Sequence, residues 1–261
     1  MSEGGLEPSV ENVDRVVQIA SGAMSATAAI AELDARYRPT GKAPAQLMTP
    51  RTWSDYFYPG TAVLINHLGI RDQDELSAAE EFYVSVRMAE ADRGEVDGVA
   101  FPATHDGAYL RAMHHWLAQD VYHWAGQYRE VGISKGVSDF APVSAIEDCL
   151  GRAGELVAET DWTDLSDDAE FGTQCAKVFG WLNYAHPFRE VNGRATRAFM
   201  DSLAEKSGRF LYCGGRVQRT AWIQRCAMSM PDLDHREPYH EYLAPVFTAM
   251  ARDHGDDGHN P

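Results

Sequence analysis

The sequence predicts an all-α fold with one small β-hairpin and a short N-terminal helical appendage. Three observations carry that expectation. Apolar residues recur at three- and four-residue spacing along most of the chain. One stretch near residue 133 breaks the period around a glycine-bounded turn. A segment holding three prolines and a glycine, residues 38–50, separates the first 37 residues from the rest.

Taken in order, Val13 to Ala23 and Ala26 to Tyr37 read as two short helices, the second with Ala28, Ala29, Ile30 and Leu33 on one side. They make up an appendage over 1–38, and 39–50 form an extended linker. The main domain then runs over 51–250. Asp74 to Ala91 is helical in period through Leu76, Ala79, Phe82, Tyr83 and Val86. Asp106 to Trp124 repeats that pattern through Leu110, Met113, Leu117, Val121 and Trp124, with Gly126 as its stop. Between Arg129 and Phe140, Val131, Ile133 and the run Gly132-Ile133-Ser134-Lys135-Gly136 suggest the hairpin. Helices follow over Ser144 to Thr160, Asp167 to Ala185, Ala195 to Ser207, Trp222 to Met228 and Tyr239 to Ala251. The Asp-, Gly- and His-rich residues 251–261 read as a disordered tail.

Composition narrows the function. With 23 Lys+Arg against 39 Asp+Glu the formal charge is −16, which argues against nucleic acid or a membrane as partner. A nucleotide needs only a local cationic pocket and stays open. Cys149, Cys175, Cys213 and Cys226 lack C-x-x-C spacing, so free thiols are expected rather than disulfides or zinc. No apolar run reaches the ~20 residues that span a bilayer, and the N-terminus lacks a signal-peptide layout. Cytoplasmic localisation is the expectation.

The chemistry gathers in Asn183-Tyr-Ala-His-Pro-Phe-Arg-Glu-Val-Asn-Gly-Arg-Ala-Thr-Arg197, between two helical patterns. Pro187 biases His186 away from helical geometry. Asn192-Gly193 reads as a tight turn, and successive amides opening onto a helix N-terminus make an anion cradle. Arg194 and Arg197 lie three apart on one face and add two permanent charges. His186 is a titratable base, Glu190 a carboxylate for a metal, and Phe188 a core anchor. Those are the parts that phosphoryl or nucleotidyl transfer requires.

His186 to Arg197 resembles the Fic-domain motif His-Pro-Phe-x-Asp/Glu-Gly-Asn-Gly-Arg-x-x-Arg at every specified position but one, Val191 standing for the first glycine. The resemblance extends to Tyr58-Pro59-Gly60-Thr61, Asn66-x-Leu68-Gly69-Ile70, Leu110-x-x-x-His114 and Asp120-Val-Tyr-x-Trp-Ala-Gly126-x-x-Arg129. Ala118 departs from the aromatic usual there. Ile133-Ser-Lys-Gly136 with Phe140-Ala-Pro142 looks like the family's flap. A Fic-type helical bundle is implied, with Mg²⁺-dependent transfer of AMP from ATP, or of another nucleotide donor's group, onto a protein hydroxyl. The resemblance makes His186 the general base and Glu190 the Mg²⁺ holder. It gives the α- and β-phosphates to Asn192, Gly193 and Arg194, and the γ-phosphate to Arg197. Residues 132–136 would dock an extended target segment by strand addition.

Val191 leaves alternatives open. A β-branched residue there is strained if its φ is positive, and its methyls could crowd the cradle. A different phosphate-linked group, a small-molecule acceptor, or a catalytically degenerate binding module would each be consistent with that change. The N-terminal stretch Ser2-Glu-Gly-Gly-Leu-Glu-Pro8 with Val13-x-x-Val-Val and Ala26 to Tyr37 resembles the latter part of the small antitoxins that partner Fic toxins. Their inhibitory helix carries Ser/Thr-x-x-x-Glu-Gly/Asn. Here Gly4 stands where its glutamate would, and Glu3 is one position off. The segment is therefore expected to be a fused remnant without its regulatory carboxylate, leaving Arg197 without its usual partner. A plain helical extension is the other reading.

Overall fold

The structure is a computed structural model of the chain and describes residues 9–38, 50–92, 101–102, 104–136, 138–211, 217–232 and 234–253. The Ser2–Pro8 stretch, most of the linker and Cys213 lie outside them. Two compact units make up the chain, one within Met1–Phe101 and Ala112–Val131, the other within Pro102–Arg111 and Gly132–Pro261.

In the first unit, α1 (Val10–Ala20) starts three residues before the expected Val13 because Ser9 caps it, its side chain accepting from the Asn12 N–H at 3.2 Å. Ser25 does the same for α2 (Ala26–Tyr37), accepting from Ala28 N–H at 3.1 Å. Both pack on α3 (Gln73–Asp92), burying Ile19, Ala29 and Leu33. Tyr83 Oη donates to Asp34 Oδ1 at 2.8 Å across the α2–α3 seam. The buried Asn66 ties its own loop, its Nδ2 donating to the Leu64 and Ile70 carbonyls and its Oδ1 accepting from Ile70 N–H.

The helix expected over Asp106 to Trp124 is shorter: α4 spans Gly107–Ala118 and turns follow. Asp120 leaves the helical path to pair with Arg87, Nε to Oδ2 at 2.7 Å and Nη2 to Oδ1 at 3.0 Å. The Val121 carbonyl accepts from His67 N–H at 2.8 Å, and the buried His114 Nδ1 from Gly126 N–H at 2.8 Å. Those tertiary bonds outweigh a continued apolar period.

The second unit is built on α6 (Asp168–Ala185), capped by Asp167 accepting from Glu170 N–H at 2.8 Å. Phe171, Cys175, Val178, Phe179 and Leu182 are all buried, as a helix packed on several sides requires. Its partners are α5 (Ile146–Glu159), α7 (Asn192–Lys206) and α9 (Ala244–Met250). An eighth helix, α8, covers Arg219–Met228. The hairpin forms as β1 (Ser134–Lys135) and β2 (Ser138–Asp139), paired Ser134 to Asp139 and Lys135 to Ser138, with Gly136 at φ 60° in the turn.

A second two-stranded sheet was not anticipated. β3 (Arg209–Leu211) pairs antiparallel with β4 (Ala251–Asp253), in the register Arg209 to Asp253, Phe210 to Arg252 and Leu211 to Ala251. Thus the first three residues of the expected tail are a strand, and the last predicted helix ends at Met250. Among the described residues no helix is long and apolar enough to cross a membrane.

Candidate active site

The segment between α6 and α7 is six residues long and bracketed by two left-handed residues. His186, at φ 38° and ψ 58°, ends α6 with its N–H donating to the Leu182 carbonyl at 3.1 Å. Val191, at φ 61° and ψ 9°, precedes α7. Among the described residues these are the only non-glycine positions with positive φ. Non-glycine residues in that region are strained by about 1–3 kcal/mol each and persist only where surrounding structure sustains them.

Asn192 supplies part of that support. Its Oδ1 accepts from Phe188 N–H and its Nδ2 donates to the Phe188 carbonyl, both at 2.8 Å. The Phe188 ring is fully buried and Asn192 is 5% exposed. This corrects the sequence reading of Asn192-Gly193 as a tight turn. Both residues form the first turn of α7, three residues ahead of its expected start, and the left-handed position falls on Val191.

The first amides of a helix have no acceptor within it and carry the positive end of its dipole. Gly193 lies in that turn, exposed, and a Cβ added to it would meet nothing within 4 Å. Space for a close-approaching anion is therefore present. Val191 is 4% exposed, so its methyls face protein rather than the open side of the turn. Arg194 follows on the same turn, half-buried.

Glu190 presents a half-exposed carboxylate whose Oε1 accepts from the Arg189 Nη1 at 2.7 Å. Among the described residues no group of three His, Cys, Asp or Glu could hold a cation unaided. Magnesium asks for less: one or two carboxylates, with phosphate oxygens and water completing the shell. A single accessible carboxylate beside a helix N-terminus fits that donor set.

Arg197 is held within the second unit: its Nε donates to Asp201 Oδ1 at 2.8 Å and Oδ2 at 2.6 Å, and its Nη2 to the Leu211 carbonyl at 2.8 Å. The stretch around Gly4, where the antitoxin glutamate would stand, lies outside the described residues. The i, i+4 spacing of Arg197 and Asp201 was visible in the sequence. The Leu211 contact was not, since it depends on β3.

The foot of the hairpin meets the same loop. Phe140 N–H donates to the Ile133 carbonyl at 3.3 Å and Ala141 N–H to the Tyr184 carbonyl at 2.9 Å. The Phe140 ring then lies on the His186 imidazole, centroids 3.8 Å apart and planes 13° apart. Sequence reasoning placed Phe140 in the flap pattern without assigning it this stack. Gly132 and Ser134 are exposed and Ile133 half-buried, leaving β1 as the hairpin's first strand.

Burial pushes the nearby Tyr184 phenol up. On the other side of α7, His105 stacks on Tyr109 at 4.6 Å and lies 3.1 Å from Ser202 Oγ, and burial drives its imidazole down to about 4.

Residues 105–204, which enclose this loop, match the Fic/DOC family. Protein adenylyltransferase VbhT of Bartonella schoenbuchensis is 35% identical over 153 residues, covering 59% of this chain and 31% of VbhT, so the match spans about a third of that relative. The "Probable protein adenylyltransferase Fic" of Escherichia coli is 32% identical over 169 residues, 65% of this chain and 80% of that protein. In fold, the chain is similar to the Bartonella tribocorum effector BepC, solved with bound AMPPNP: TM-score 0.64, 24% identity, 76% of this chain and 97% of that one. The N-terminal Fic domain of an effector from Bartonella sp. AR 15-3 gives TM-score 0.65 at 24% identity, over 80% of this chain and 96% of that one. Shared fold and an alignment across four-fifths of the Escherichia coli protein agree: the chain belongs to the Fic/DOC family.

Proposed function

We propose that the chain is a nucleotidyltransferase that moves AMP from ATP onto a hydroxyl side chain of a target protein. The observation that carries this is the loop itself: an imidazole ending α6 and an open, arginine-flanked helix N-terminus starting α7, joined by five residues. The relatives named protein adenylyltransferases support the same reaction.

In this reading the target oxygen attacks the α-phosphorus of ATP. The hydroxyl proton passes to His186, the bond from the α-phosphorus to the bridging oxygen breaks, and pyrophosphate leaves. Phe140 restrains the imidazole plane while it takes the proton. Amides of the first α7 turn, with Arg194, receive the α- and β-phosphates. Asn192 contributes through its main chain, since both ends of its side chain hold Phe188. Arg197 meets the γ-phosphate. Magnesium held by Glu190 would neutralise charge between the phosphates. Residues 132–136 offer β1 to an extended segment of the target. Thiols outside any disulfide at Cys149, Cys175 and Cys226 suit a reducing, ATP-holding compartment such as the cytoplasm.

Labelled ATP, CTP, UTP and GTP with magnesium and a cell lysate test this. The expected result is protein labelling from ATP, and a melting temperature raised by ATP in both native protein and His186→Ala. In that variant labelling drops about 10²–10⁴-fold. Unchanged labelling in His186→Ala would remove the base assignment. Label recovered only in a soluble metabolite would replace the protein acceptor with a small molecule.

A further inference from the structure

We propose that Asp201 and the β3–β4 sheet belong to the nucleotide site as a clamp that positions Arg197 for the terminal phosphate of ATP. The inference rests on the phosphate role proposed above for Arg197.

A lone arginine on an exposed helix face samples many rotamers, and binding a phosphate then requires ordering it. Here the guanidinium is ordered beforehand from two elements. Asp201, one turn further along α7, takes the Nε–H with both oxygens, at 2.8 and 2.6 Å. Leu211, at the end of β3, takes an Nη2–H through its carbonyl at 2.8 Å. The Arg197 and Asp201 side chains are 37% and 32% exposed, so an isolated i, i+4 pair there would fix little. The carbonyl from a separate element changes that, because two anchor points on a planar group set both its position and its plane.

Leu211 is itself held: it is 5% exposed and stands in register with Ala251 on β4. The three residues of β4 thereby reach the phosphate-binding arginine through a single strand. The nucleotide site thus depends on a segment some 60 residues beyond the loop between α6 and α7.

Binding of ATP, ADP and AMP with magnesium to the full chain, by calorimetry, reads the clamp. The expected result for Asp201→Ala is a ratio of ATP to ADP affinity lowered about 5- to 20-fold with AMP affinity unchanged. Asp201→Glu recovers part of the ratio. Arg197→Lys loses it, and adding Asp201→Ala to Arg197→Lys lowers it no further. Arg252→Pro, which interrupts β4, lowers the same ratio. A ratio unchanged in Asp201→Ala, or ATP, ADP and AMP weakened alike, overturns the proposal. Label transfer is not read in this experiment. A chain that discriminates ATP from ADP yet transfers nothing would remove the transferase reading and leave the clamp standing.

Discussion

At φ 61° Val191 holds a β-branched side chain in the left-handed region, an arrangement that costs about 1–3 kcal/mol. Glycine would adopt that angle freely. It would also give up a buried side chain worth about 1.5–3 kcal/mol and add about 0.5–1 kcal/mol of backbone entropy to be lost on folding. These terms nearly cancel, so Val191→Gly should move the melting temperature by no more than about 5 °C. Because the valine is 4% exposed, its methyls do not occupy the open side of the α7 turn. Affinity for ATP with magnesium should accordingly stay within about threefold of the native value, and a tenfold gain would show that the methyls intrude after all. The identity of every motif residue could be read from the chain. The conformations were harder, because the sign of φ at 191 and the fate of the Asn192 amide depend on how Phe188 is buried. Phe140 on His186 and Leu211 on Arg197 could not be read at all: each joins residues far apart in sequence through a bond that leaves no local pattern.

Between elements, α6 approaches α9 closely at Gly172. A Cβ on Gly172 would lie 2.5 Å from the Thr248 main-chain nitrogen and 2.8 Å from its Cα, so the backbones themselves would have to part. Gly172→Ala should therefore destabilise by about 1–3 kcal/mol, a fall of roughly 3–12 °C in melting temperature despite alanine's better helix propensity. Gly151, on the exposed face of α5 with nothing within 4 Å of its Cβ position, is the control. Gly151→Ala should raise the melting temperature by about 1–4 °C. Equal effects of the two would mean the helices are not in contact at Gly172. Helices with strong caps or strong periods were legible: α2 lies where its period put it, and α6 begins one residue late because Asp167 is its cap. Where polar tertiary bonds compete with the period, as Asp120 does for α4, the boundary moved by six residues. The sheet of β3 and β4 pairs residues about 40 apart with three-residue strands, too short for alternation to show.

For the molecule as a whole, a formal charge of −16 sets the background against which pH acts. Titrating carboxylates will change stability on the acid side, but they are many and their effects overlap. His105 gives a separable contribution. Burial, reinforced by the charge of Lys206, lowers its imidazole from the ordinary 6.5 to about 4, with the Ser202 bond and Asp106 opposing. Between those values the unfolded chain binds a proton at His105 and the folded chain does not, so stability from this group rises with pH across that window. It is fully present above 6.5 and is lost as pH falls toward 4. The ring stacks on Tyr109 and meets Phe199 edge-on at 5.5 Å, so His105→Phe keeps an aromatic in the slot while removing the titration. Thermal melts at pH 7.5 and pH 5.0 should then differ less for the variant than for the native chain, by about 2–4 °C. Comparing the two chains at the same pair of pH values cancels the shared carboxylate background. An identical pH dependence in both would mean that His105 is protonated as readily folded as unfolded, and that α7 is not shielded from water along this face.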